Sequence, residues 1–104
     1  MTLQELYTIL KATGFPIGYS HFKGSQKPPF ICYFVSYSSN FDADNKVYQK
    51  IENVQIELYT DKKDLEAEKI LEDLLDENEI PYETTETFIT SEKLYQKIYE
   101  VRLI

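Results

Sequence analysis

From Lys46 to Glu79 the chain reads KVYQKIENVQIELYTDKKDLEAEKILEDLLDENE, and the period of its apolar residues changes partway along. Val54, Ile56 and Leu58 alternate with Gln55, Glu57 and Tyr59, the pattern of a half-buried strand. Beyond a short polar joint, Ala67, Ile70, Leu71, Leu74 and Leu75 recur at three- and four-residue spacing, the apolar stripe of an amphipathic helix. One apolar face followed by one apolar stripe implies a sheet and a helix pressed together as two layers. Asp61 is the expected N-cap, with Asp64 three residues on, and the helix is expected from about Lys63 to Asn78. Pro81 bars its continuation.

Working outward, Val47 and Ile51 stand at odd positions, whereas Val54, Ile56 and Leu58 stand at even ones. A strand cannot change face without an extra residue, so a β-bulge or break is expected near Glu52-Asn53. The preceding run, Phe30 to Ser38 (FICYFVSYS), is apolar on both faces and reads as a central strand. Ser39 to Asn45 (SNFDADN) connects the two as a hairpin, and with the outer part of Val47–Thr60 it is expected to project as an arm. Asp42, Asp44 and Asn45 invite comparison with a calcium loop. That comparison fails, because Val47 stands where Gly is required and Asn53 where the closing Glu belongs.

Thr2-Leu3-Gln4-Glu5 is a capping box, and Leu3, Leu6, Tyr7 and Leu10 mark one face of a first helix that Gly14 can end. Ile17 to Phe22 has room for a short strand. Lys23 to Pro29 (KGSQKPP) is a loop, locally basic through His21, Lys23 and Lys27. Tyr82 to Thr90 and Leu94 to Ile104 read as two strands joined by a turn at Ser91–Lys93, with Tyr95, Tyr99, Val101 and Leu103 sharing a face. The expectation is one α+β domain over 1–104: a mainly antiparallel sheet of about five strands under two helices, in the order α-β-β-β-α-β-β.

With 42% hydrophobic and 28% charged residues, the composition is that of an ordinary globular protein. Eighteen acids against eleven bases give a net charge of −7, a field that repels phosphate backbones and argues against sequence-specific nucleic-acid binding. The opening MTLQELY lacks the features of a secretory signal, and no apolar run approaches a membrane span, so a soluble cytoplasmic protein is expected. Cys32 is the one cysteine and reads as a buried structural thiol. It has no second histidine or cysteine around it for a metal site, and no motif pairs it with His21 as nucleophile and base. No glycine-rich phosphate loop occurs, and neither a catalytic residue nor a cofactor is expected.

Leu3–Tyr7 followed by Gly14-Phe15-Pro16, then Lys27-Pro28-Pro29-Phe30-Ile31-Cys32-Tyr33, then Phe41-Asp42-Ala43-Asp44-Asn45, and Val54–Thr60 running into an acidic helix form an arrangement covering nearly the whole chain. It resembles the small tail-completion or tail-terminator proteins that join head to tail in long-tailed phages and prophages of Gram-positive bacteria. The resemblance implies a structural role: a ring, commonly a hexamer, at the head-proximal end of the tail tube. Such a ring ends tube polymerisation and contacts the head connector, being built in the bacterial cytoplasm and carried into the virion. The implied partners are copies of itself, the tail-tube protein and the connector. A closed ring needs a heterologous interface. The candidate surfaces are the arm (Tyr37, Phe41, Asp42, Asp44, Tyr48), the last strand (Tyr95, Tyr99), and the basic loop (Lys23, Lys27) facing a neighbour's acidic helix. Other small head–tail connector components share this appearance. An alternative class is an acidic DNA mimic that occupies a nucleic-acid-binding protein, motivated by the eight acids from Asp64 to Glu79.

Overall fold

A computed structural model describes residues 1–43 and 46–103, with side chains for 1–38 and 51–103. Along the chain lie α1 (Leu3–Lys11), β1 (Ile17–Tyr19), β2 (Phe30–Ala43), β3 (Lys46–Thr60), α2 (Leu65–Glu77), β4 (Tyr82–Ile89) and β5 (Leu94–Leu103). The five strands form one sheet in the spatial order β1-β2-β3-β5-β4. Two features depart from the expectation. Sheet neighbours do not follow chain order, and the sheet is mixed, because β1 runs parallel to β2 while the other three pairings are antiparallel. The fold is therefore a small α+β arrangement of a five-stranded mixed sheet and two helices.

Both helices press on one face of the sheet. Leu6 and Leu10 of α1 and Ala67, Leu71 and Leu75 of α2 join Ile31, Tyr33, Val54, Ile56, Leu58, Tyr99, Val101 and Leu103 in a single buried cluster. Each of these sheet residues is every second one along its strand, so pleating alone delivers them to the same side. The Thr2–Glu5 capping box forms as read, and Gly14 takes the left-handed conformation (φ 83°) just past α1.

At α2 the sequence reading needs correction. The N-cap is Asp64, whose side chain accepts from the Ala67 N–H, and not Asp61. The buried stripe is Ala67, Glu68, Leu71 and Leu75, while Ile70 is 37% exposed. Ile70 and Glu68 have exchanged the sides that their polarity suggests. Past the C-terminus, the Ile80 N–H reaches the Leu75 carbonyl (2.9 Å) and the Glu79 N–H reaches that of Asp76 (3.0 Å). This is a Schellman closure, with Glu79 in the left-handed position (φ 56°) and Ile80 buried against Leu75.

Candidate functional site

β2 and β3 are far longer than their companions. Among the described residues, β1 accompanies β2 over Ile31–Tyr33 alone, and β5 accompanies β3 from Thr60 to Glu52. Beyond those points the two strands continue paired with each other, from Ser39↔Ile51 to Ala43↔Lys46. The result is a two-stranded arm on a molecule measuring 50 × 29 × 23 Å. The arm's root holds a β-bulge, but its extra residue is Ser36 of β2, facing Asn53 and Val54, rather than a residue near Glu52-Asn53 of β3. Phase in the sequence fixes only the offset between two strands, and either can supply the extra residue. β3 stays regular through this region, so Ile51 lies on the face away from the helices. The Ser36 hydroxyl donates to the Asn53 carbonyl at 2.9 Å and ties the bulge to its partner strand.

Tyr37, just past the bulge, is 63% exposed. It borders a shallow depression of about 510 Å³ with Asn53, Tyr82, Glu83, Glu100 and Arg102. The other arm candidates, Phe41, Asp42, Asp44 and Tyr48, lie outside the described side chains. Lys23 and Lys27 are both exposed on the β1–β2 loop. Tyr95 is half-buried, edge-on to Phe88 with ring centres 4.9 Å apart. Tyr99 is fully enclosed beneath α2 and offers no surface to a neighbour, which removes it from the interface candidates. The arm, the loop and the last strand are thus separate surfaces rather than one site.

The sheet face away from the helices carries a second set of contacts that periodicity did not reveal. Phe22 from the basic loop meets Phe30 edge-on (5.7 Å), and Phe30 stacks on Tyr59 (4.8 Å, 18° between planes). The loop passes so close to β1 that a Cβ on Gly18 would lie 3.0 Å from the His21 carbonyl oxygen and 3.1 Å from the Phe22 ring. Beside this aromatic column, the Glu57 carboxylate accepts from Gln55 Nε2 (2.9 Å), Gln96 Nε2 (2.9 Å) and the Tyr59 hydroxyl (3.1 Å). Burial, reinforced by the Glu57 charge, pushes the Tyr59 phenol up to about 12. The same two causes raise the Cys32 thiol, which is buried and far from a reactive thiolate.

On the helix side, a charged cluster fills the space between α2, β5 and β4. Glu68 meets Lys63 and Lys97, each at 2.7 Å, and Lys63 also reaches Glu86 of β4. Lys97 extends to Glu72 at 3.4 Å, and the Tyr99 hydroxyl donates to that same Glu72 oxygen at 2.7 Å. Burial alone would raise the Glu68 carboxyl, but the hydrogen bonds and charges of the two lysines outweigh it and hold the group below the usual range. Burial, then the hydrogen bond to Glu72, raises the Tyr99 phenol. This cluster explains the exchange of Ile70 and Glu68: a carboxylate is tolerated inward because two ammonium groups wait there.

Among the described residues, no group of three or more His, Cys, Asp and Glu is placed to hold a metal ion, and no helix is long and apolar enough to cross a membrane. Compared with protein-family models and with curated proteins, the chain matches none.

Proposed function

We propose that this chain is a structural protein of a long-tailed phage or prophage, assembling into a ring at the head-proximal end of the tail tube. There it ends tube polymerisation and joins the tail to the head connector. Its partners are copies of itself, the tail-tube protein and the connector, and it is built in the host cytoplasm before entering the virion. It transforms no substrate. The observation that carries this reading is the β2–β3 arm, which continues past both neighbouring strands and exposes Tyr37 at its root. A two-stranded ribbon flanked by no further strand is marginal on its own and well suited to gripping a neighbour. The exposed Lys23 and Lys27 supply a basic patch on an acidic chain, suited to a neighbour's α2.

The DNA-mimic alternative is less well supported. Of the acids between Asp64 and Glu79, Asp64 caps α2, Glu68 and Glu72 are held by lysines and Tyr99, and Asp73 pairs with Lys69 at 2.6 Å. These carboxylates answer to the fold before any partner.

The test is to polymerise the cognate tail-tube protein with and without the purified chain and to measure tube lengths by negative-stain electron microscopy. Short tubes with a ring at one end are expected. The double substitution Phe41→Ser with Tyr48→Ser should abolish ring formation while leaving a folded monomer. Tubes of unchanged length, with no ring on or off them, would overturn the proposal.

A further inference from the structure

The outer edge of β4 is open and unguarded. Edge strands are commonly protected by lysine, proline, a bulge or brevity. β4 has 8 residues, carries neither lysine nor proline, and pairs with β5 in unbroken register from Tyr82↔Val101 to Ile89↔Leu94. It is the last strand of the sheet, and Glu83 through Phe88 are exposed, Phe88 to 47%. Charges of both signs surround it. Lys63 holds Glu86, Lys97 faces Glu86 across the ladder while serving Glu68 and Glu72, and Arg102 borders the same depression as Glu83 and Glu100. No field of one sign selects a partner here, so the choice falls to the side chains of the strand itself.

Those side chains suit a second copy of the same strand. A two-fold axis that sets two copies of one strand antiparallel must run perpendicular to the sheet, leaving both pairs of helices on one side. Facing residues then have the same parity, and the axis passes through a residue. Centred on Glu86, two carboxylates would stand directly opposite, which is unfavourable. Centred on Thr84, the ladder shrinks to Tyr82–Glu86, and Pro81, which has no N–H, comes opposite Thr87. Centred on Thr85, it runs from Tyr82 to Phe88. Thr85 then faces Thr85 of the second copy, Glu83 faces Thr87, Glu86 faces Thr84, and Tyr82 faces Phe88 on the helix side. No carboxylate faces another, the two Glu86 groups that meet diagonally keep their own lysines, and the exposed Phe88 ring gains an aromatic partner. We infer that β4 docks on β4 of a second copy in this register, joining two sheets into one through main-chain hydrogen bonds. The contact is isologous, so it closes at two copies, and its small area makes it reversible on dilution. It is independent of the ring proposed above, which needs a heterologous surface and is assigned to the arm, on the other side of β5 from β4.

Thr85→Cys, Glu83→Cys and Thr87→Cys are made singly in the full-length chain and oxidised with copper-phenanthroline. The wild type, whose Cys32 is buried, is the blank. Position 85 alone meets its own copy, at a separation that a disulfide can span, so linked dimer should accumulate there at least about tenfold faster than at 83 or 87. Glu83→Cys mixed with Thr87→Cys should link as well. Sedimentation equilibrium then compares Thr85→Lys with Thr85→Glu, each alone and the two mixed. Like charges on the axis should weaken association of each variant by about threefold, and the mixture should restore it. Thr85 is exposed, so circular dichroism melts should match wild type. Linking at 83 or 87 alone that equals linking at 85, a mixture that recovers nothing, or a wild type monomeric at every concentration overturns the pairing. The ring is tested separately, by the tube lengths.

Discussion

Replacing Lys97 with methionine tests whether the cluster beneath α2 holds the layers together. Its ammonium lies 2.7 Å from Glu68 and 3.4 Å from Glu72, and 5.5 Å from the centre of the Tyr99 ring. Glu68 is 6% exposed, so the loss of a partner leaves a carboxylate with little recourse to water. Removing one member of a buried pair typically costs about 3–5 kcal/mol. Here Lys63 remains on Glu68, with 42% of its own side chain exposed, and Tyr99 remains on Glu72. A cost of about 2 kcal/mol is therefore expected, lowering Tm by roughly 10 °C in a domain of this size. Urea denaturation at neutral pH measures it directly. The pH dependence adds a sign. Glu68 titrates lower in the folded chain than in the unfolded one, so its contribution is complete above the ordinary glutamate value. It is lost as pH falls through the depressed folded value. The gap between wild type and Lys97→Met should close over that acid range. The exposed Lys69–Asp73 pair serves as the contrast, since Lys69→Met should leave stability unchanged. A loss at Lys97 below about 0.5 kcal/mol, or a gap that persists unchanged into acid, would refute the reasoning.

Glu79→Gly should stabilise the chain by about 0.5–1 kcal/mol, because the residue after α2 is left-handed and currently carries a side chain; an unchanged or lower urea midpoint would contradict this. Leu71→Ala removes a fully buried side chain that α2 presses on the sheet, and should cost about 2–5 kcal/mol by the same measurement. In alkali, Tyr59 and Tyr99 both titrate higher when folded, so they support the fold fully below about 10 and progressively less as pH rises. Tyrosinate absorbance should show Tyr59 and Tyr99 lagging together with Tyr33 and Tyr82, whose phenols burial also raises, and Tyr59→Phe should remove one phenol from that lagging group.

Much of the architecture was legible because it is written locally. Thr2 and Glu5 meet three residues apart, Gly14 needs only its own backbone freedom, and the alternation in Val54–Leu58 fixes a face without knowledge of any partner. What escaped depends on residues distant in sequence. Glu68 points inward because Lys97, twenty-nine residues away, lies beneath it, and no helical pattern records that. The parallel pairing of β1 rests on the register of Ile17 with Ile31 across an intervening loop, which composition marked merely as polar. The bulge was readable as an offset but not as a property of Ser36, because the two strands share the discrepancy. Of the candidate surface residues, Tyr37, Lys23 and Lys27 are exposed. Tyr99 shows that a tyrosine in phase with a core face belongs to the core.

Two-stranded ribbons twist more steeply than wide sheets, and a bulge sharpens the coil where it occurs. Ser36 therefore acts as an elbow at the root of the arm, setting the direction in which the two strands leave the sheet. Deleting that single residue would swing the far end to a new bearing while leaving every amino acid there unchanged.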